Sequence, residues 1–137
     1  MNLSLYKTIN MKTEEKIYTK HADHTDWMSK LEFYEDEISI MKNRLSEIAS
    51  KNSHQDVLAQ VEHFQNQLIV QKDNIDEISH TITIDEDAIQ KEVEKKSKSG
   101  DHIKKGTHAG EKIAVELFEK NFNKLRAEFD EFAVKWM

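Results

Sequence analysis

From Trp27 to Trp136, apolar side chains recur in alternating steps of three and four, and no proline interrupts any part of the 137-residue chain. Steps of this kind place each side chain on one face of a 3.6-residue helix. The first seam runs Trp27, Leu31, Tyr34, Ile38, Met41, Leu45, Ile48, broadened on one flank by Phe33 and Ile40. The second runs Val57, Val61, Phe64, Leu68, Ile75, Ile78, Ile82, Ile89, with Gln71 and Asp85 standing at seam positions. The third is aromatic: Val115, Phe118, Phe122, Leu125, Phe129, Phe132, Trp136. Three such stripes, in a chain with only three glycines and 34% charged residues, predict an all-α fold. The arrangement expected is an antiparallel three- or four-helix up-and-down bundle with coiled-coil-like heptad seams.

The punctuation between seams sets the boundaries. Residues 1–20 are weakly patterned and read as a loosely ordered N-terminal arm, with 21–137 forming one helical domain. Ala49 to Ser53 reads as a helix end and turn, with Ser53 the expected N-cap of the second helix. Lys95 to Gly100 supplies lysines and a glycine suited to a helix C-terminus, after which Asp101 can cap the third helix. The helices predicted are about 23–49, 54–97 and 102–136, with a break in the second near 81–85, where Thr81, Ile82, Thr83 and Ile84 crowd four poor helix formers together. The first helix, even with the arm, is expected to be no longer than the second. Apolar surface at Ile84, Ile89, Val93 and Ile103 is then left for the arm or a second protomer.

No apolar run is long enough to span a bilayer and the start lacks a secretory pattern, so a cytoplasmic protein is the simplest expectation. A net charge of -6 argues against general nucleic-acid binding. The absence of cysteine removes thiolate chemistry. Lysines 91, 95, 96, 98, 104 and 105 gather around the second turn, as solvated helix ends do. No phosphate loop or nucleophilic constellation is readable, so catalysis has no positive support in the spacing.

Histidines repeatedly terminate the seams. His24 stands three residues before Trp27, His54 three before Val57, and Glu111 and His108 four and seven before Val115. Histidine is amphipathic and suits a place where a core stripe meets solvent. A sharper reading follows from placing the first turn near residue 51, which sets His24 level with His80, while a second turn near Gly100 brings Glu119 to the same level and Glu116 a turn away. Glu77-Ile78-Ser79-His80 puts a carboxylate and an imidazole on one helix face. That spacing resembles the Glu-x-x-His motif of ferritin-like di-iron bundles, which use it twice; this chain has it once. A mononuclear zinc, iron or manganese site formed by His24, Glu77, His80 and Glu119 is the reduced form of that resemblance. His21 falls off the seam and reads as a surface histidine.

Two functions are therefore expected. One is a non-enzymatic protein-interaction or scaffold module that binds a protein partner or itself as a homodimer and needs no cofactor. The alternative is a metal-binding bundle with redox or hydrolytic chemistry at an open coordination position.

Overall fold

A computed structural model describes the backbone of residues 3–95 and 107–137 and the side chains of 16–91 and 107–137. Among these residues there are three helices and no strand: α1 (Leu3–Lys51), α2 (Gln55–Lys95) and α3 (His108–Trp136). The all-α expectation holds. The core consists of most of the three predicted seams together with Ala133, with Leu45, Ile48, Leu68 and Phe122 all fully enclosed, whereas Ile78, Ile89 and Trp136 are half-buried. Each such side chain contributes roughly 1.5–3 kcal/mol through removal of apolar area from water. Phe33 and Ile40, which broaden the first stripe, are exposed. The aromatics of α3 interlock with neighbours on both other helices, Tyr34 lying edge-on to Phe118 at 5.4 Å and Phe64 to Phe129 at 5.8 Å between ring centroids.

Cross-helix bonds fix the directions. Tyr34 bonds Glu119 and Glu37 pairs with Arg126, so numbers rise together along α1 and α3. His24 bonds Glu86 whereas Glu35 pairs with Lys72, so α2 runs opposite to α1. Asn52 in the first connection donates to the carbonyls of Ile48 (2.8 Å) and Trp136 (3.2 Å), tying the end of α3 to the α1–α2 turn.

Several boundaries differ from those expected. The N-cap of α2 is His54 and not Ser53: its carbonyl accepts the Leu58 N–H and its Nδ1 accepts the Asp56 N–H at 3.3 Å. An imidazole with a lone pair does here what a serine hydroxyl does elsewhere. α2 passes unbroken through 81–85, because Ile82 is anchored in the core and no residue there lacks a backbone N–H. Residues 3–20 continue α1, which at 49 residues is longer than the 41 of α2. α3 is capped by Thr107, whose hydroxyl accepts the Gly110 N–H. Ile84 and Ile89 are half-buried. Of the expected terminus at Lys95 to Gly100 only the Lys95 backbone is described; the Asp101 cap, Ile103, the Val93 side chain and the side chains of the lysine cluster other than Lys91 lie outside the described residues.

Candidate metal centre

Away from the α1–α2 turn, the seams of α1 and α3 carry on past their last apolar residues, and it is titratable groups that are buried there. One step before Trp27 stands His24, 3% exposed; four before Val115 stands Glu111, 4% exposed. The parallel register of α1 and α3 sets these two against each other, His24 Nε2 lying 3.4 Å from Glu111 Oε1. His108 joins them from the first residue of α3, its ring 5.5 Å from that of His24 and 4.9 Å from that of Trp27. One donor atom from each of His24, His108 and Glu111 lies within 4.8 Å of the other two.

The surroundings decide which ring nitrogens are free. His24 Nδ1 faces Glu86 Oε1 at 2.9 Å, so the proton belongs on Nδ1 and the Nε2 lone pair points toward Glu111. His108 Nε2 faces Asp23 Oδ2 at 2.7 Å, which places its proton on Nε2 and leaves Nδ1 as a lone pair. That Nδ1 is buried and has no hydrogen-bond partner, and neither has Glu111 Oε2. Each histidine is thus held by a carboxylate through one nitrogen and offers the other, the outer-sphere pattern that orients metal-binding imidazoles. The third buried orphan among the described side chains, Gln71 Oε1, belongs to the seam amide of α2.

Burial pushes the Glu111 carboxyl up to about 8, reinforced by a hydrogen bond that the protonated carboxyl can give Asp85 and by the charge of Asp85, and only partly offset by Lys20. Burial also opposes ionisation of Glu86, but hydrogen bonds with Gln90, His24 and His21 outweigh it and bring that carboxyl down to about 2. An imidazole lone pair and an ionised carboxylate oxygen repel each other; near neutral pH the raised Glu111 carboxyl keeps a proton that can stand between the two atoms, and a cation there would displace it. A cation fits in size: two ligands of a tetrahedral zinc-like ion stand roughly 3.4 Å apart, the distance observed between His24 Nε2 and Glu111 Oε1.

The residues expected to form a metal site are separated by the structure. His24 is at the centre just described. Glu77 and His80 are exposed on α2, Glu77 reaching only the wall of a cavity it shares with Glu111. Glu119 accepts the Tyr34 hydroxyl at 3.1 Å and stands 3.6 Å from Lys30. Tyr34 lies ten positions along α1 from His24, a distance of about 15 Å. Glu116 is exposed. The reason is register: the first connection occupies 52–54, centred beyond residue 51, which moves the level opposite His24 by about four residues along α2, past His80, and Glu86 reaches His24 from just beyond that level. His21 is half exposed, as expected of a surface position, yet bonds Glu86 Oε2 at 2.7 Å. Sequence reading marked His108 and Glu111 as seam terminators but did not join them to His24. Glu86 and Asp23 lie off the seams and give no periodic signal.

Comparison with protein-family models, with curated proteins and with solved structures finds no match. The chemistry of the centre therefore rests on its own geometry. No helix among the described residues is long and apolar enough to cross a membrane.

Proposed function

We propose that the chain is a metal-binding helical bundle in which His24, His108 and Glu111 hold one divalent zinc, iron or manganese ion, with Glu86 and Asp23 orienting the two imidazoles. The observation that carries this reading is the convergence of free donors: two histidines each tied to a carboxylate through one nitrogen, beside a buried carboxylate with an unpartnered oxygen. Two imidazoles and one carboxylate suit zinc and non-haem iron alike, and three protein donors leave a position for an outside ligand. Contraction of the set from 4.8 Å to the tetrahedral edge asks for movements of about 1.4 Å at most. A bound ion would join α1 to α3 at the end opposite the α1–α2 turn, coupling metal to stability.

The test is elemental analysis of untagged protein purified without chelator, followed by titration of zinc, manganese and ferrous iron with thermal unfolding. Near-stoichiometric uptake is expected, with about 2.7 kcal/mol of stabilisation at a hundredfold excess over Kd, both lost in the His24→Gln/His108→Gln double variant. Absence of uptake, or uptake indifferent to that variant, overturns the proposal. The reading left would then be partner binding or self-association through the bundle's outer faces, where Phe33, Ile40, Ile113 and Leu117 are exposed.

A further inference from the structure

The seams stack the bundle in layers, each taking one side chain from every helix. Two ring contacts fix which residues share a layer: Phe64 lies 5.1 Å from Phe132, and Tyr34 lies 4.8 Å from Phe122, between centroids. From Phe64, six alternating steps of four and three along α2 arrive at Asp85, and the same six steps back from Phe132 along α3 arrive at Glu111. Because α2 and α3 run in opposite directions, Asp85 and Glu111 fall in one layer. Three seam steps back from Tyr34 and from Phe122 arrive at His24 and Glu111, so His24 belongs to that layer as well.

Trp27, Ile82 and Val115 make up the adjoining layer, and all three are buried. Beyond them the seams of all three helices turn titratable together. No other layer from there to Leu45, Phe64 and Phe132 lacks an apolar member; Gln71, the second polar residue of the α2 seam, shares its layer with Ile38 and Leu125. The contacts agree with the stacking. Half-buried Asp85 stands within hydrogen-bonding reach of the Glu111 carboxyl, whose Oε1 lies 3.4 Å from His24 Nε2 and whose buried Oε2 has no donor. Glu111 thus connects the donors of α1 and α3 to a carboxylate on α2, the helix that supplies none of the other three.

We infer that Asp85 is the fourth protein ligand of the ion, taking the position that His24, His108 and Glu111 leave open and closing the site to outside molecules. The inference rests on the metal reading above. Asp85 lies outside the set of donors already within 4.8 Å of one another, so it is the ligand whose side chain moves most on loading. A site closed by four protein donors is structural in character, and here it would tie α2 to α1 and α3 where the apolar layers stop.

The experiment uses the full chain loaded with Co²⁺, whose visible absorption reports the ligands around it. Wild-type protein is expected to show the intense bands of a four-coordinate ion, unchanged by added imidazole. Asp85→Ala is expected to bind cobalt about a hundredfold more weakly, at or beyond the upper end of what loss of an outer hydrogen-bond partner costs, and its bands should shift saturably with imidazole, which enters the vacated position. Asp85→Asn keeps the size of the side chain and decides the matter if the alanine variant does not fold; its cobalt affinity is expected to fall at least tenfold. Wild-type bands that shift with imidazole as those of the alanine variant do overturn the inference and spare the metal reading. Cobalt affinity and spectrum unaltered in the variants overturn it too, even where the urea midpoint of metal-free protein moves, since Asp85 then only shares a proton with Glu111. Failure of Co²⁺ to bind the wild-type chain removes both, with the fault in the metal reading.

Discussion

At the turn end of the bundle the seams close on Leu45, Ile48, Val57 and Phe132, while at the opposite end they close on His24, Glu111 and His108. Both ends follow the same spacing, and His24 and Glu111 are as deeply buried as the apolar residues. The difference lies in what burial achieves. Removing Leu45 from water stabilises the fold, whereas removing Glu111 from water costs free energy unless something neutralises it. The two ends follow one pattern with opposite chemistry, and the metal site proposed above would give the polar end the neutralising partner that the apolar end does not need.

The largest effect separating the two ends is expected at the core. Leu45→Ala should lower unfolding free energy by about 2–5 kcal/mol, measured by urea unfolding, with metal uptake retained. A loss below 1 kcal/mol would mean that the turn end is not the seat of stability. At the polar end the sign should reverse. Replacing His24 and Glu111 together by leucine exchanges a poorly compensated polar pair for apolar volume and should raise the stability of metal-free protein by about 1–4 kcal/mol, while abolishing metal-dependent stabilisation. Destabilisation by the same double change would show that the pair serves packing, and the contrast between the ends would collapse.

Acidity sharpens the comparison, because the two carboxylates bonded to His24 shift in opposite directions. Glu86, brought down from 4.5 to about 2, contributes stability that is fully present above pH 4.5 and is lost as pH falls toward 2. Glu111, raised from 4.5 to about 8, favours the folded state below pH 4.5, and that advantage is lost as pH rises toward 8. Metal-free protein is therefore expected to be most stable in mild acid and to weaken by a few kcal/mol at most, roughly, by pH 8. Glu111→Gln should flatten the alkaline side and leave the acid side intact. A wild-type urea midpoint unchanged from pH 5 to 8 would mean that Glu111 ionises without cost.

The sequence carries the seams plainly, since burial acts on every third or fourth residue and leaves a periodic trace from Trp27 to Trp136. It misplaces the ends of elements, where one side chain decides: an imidazole caps α2, and a buried Ile82 carries the same helix through a stretch of poor formers. Half of the centre is visible in the same trace, because His24, His108 and Glu111 occupy seam positions. Their partners are not. His80 and Glu86 stand six residues apart, about 1.7 turns, and which of them faces His24 is set by a three-residue connection that leaves no mark on the periodicity. Asp23 and Glu86 act across gaps between helices, where any carboxylate would look like solvated surface.

The smallest effect tests whether the polar end's shape is specified as closely as its charge. Thr107 caps α3 by accepting the Gly110 N–H at 2.9 Å, and its removal in Thr107→Ala should cost about 1 kcal/mol. Gly110→Ala on its own gains about 1 kcal/mol of helix propensity, but its Cβ would crowd the same hydroxyl at 2.8 Å and disturb the cap. Its net effect should be close to zero. In the Thr107→Ala background the obstruction is gone and Gly110→Ala should recover its full gain, so a double-mutant cycle by thermal unfolding should show coupling of about 1 kcal/mol. Additive effects would mean that the hydroxyl moves aside freely. The glycine beside Glu111 would then be explained by the cavity it leaves open, and the helix cap would have no part in it.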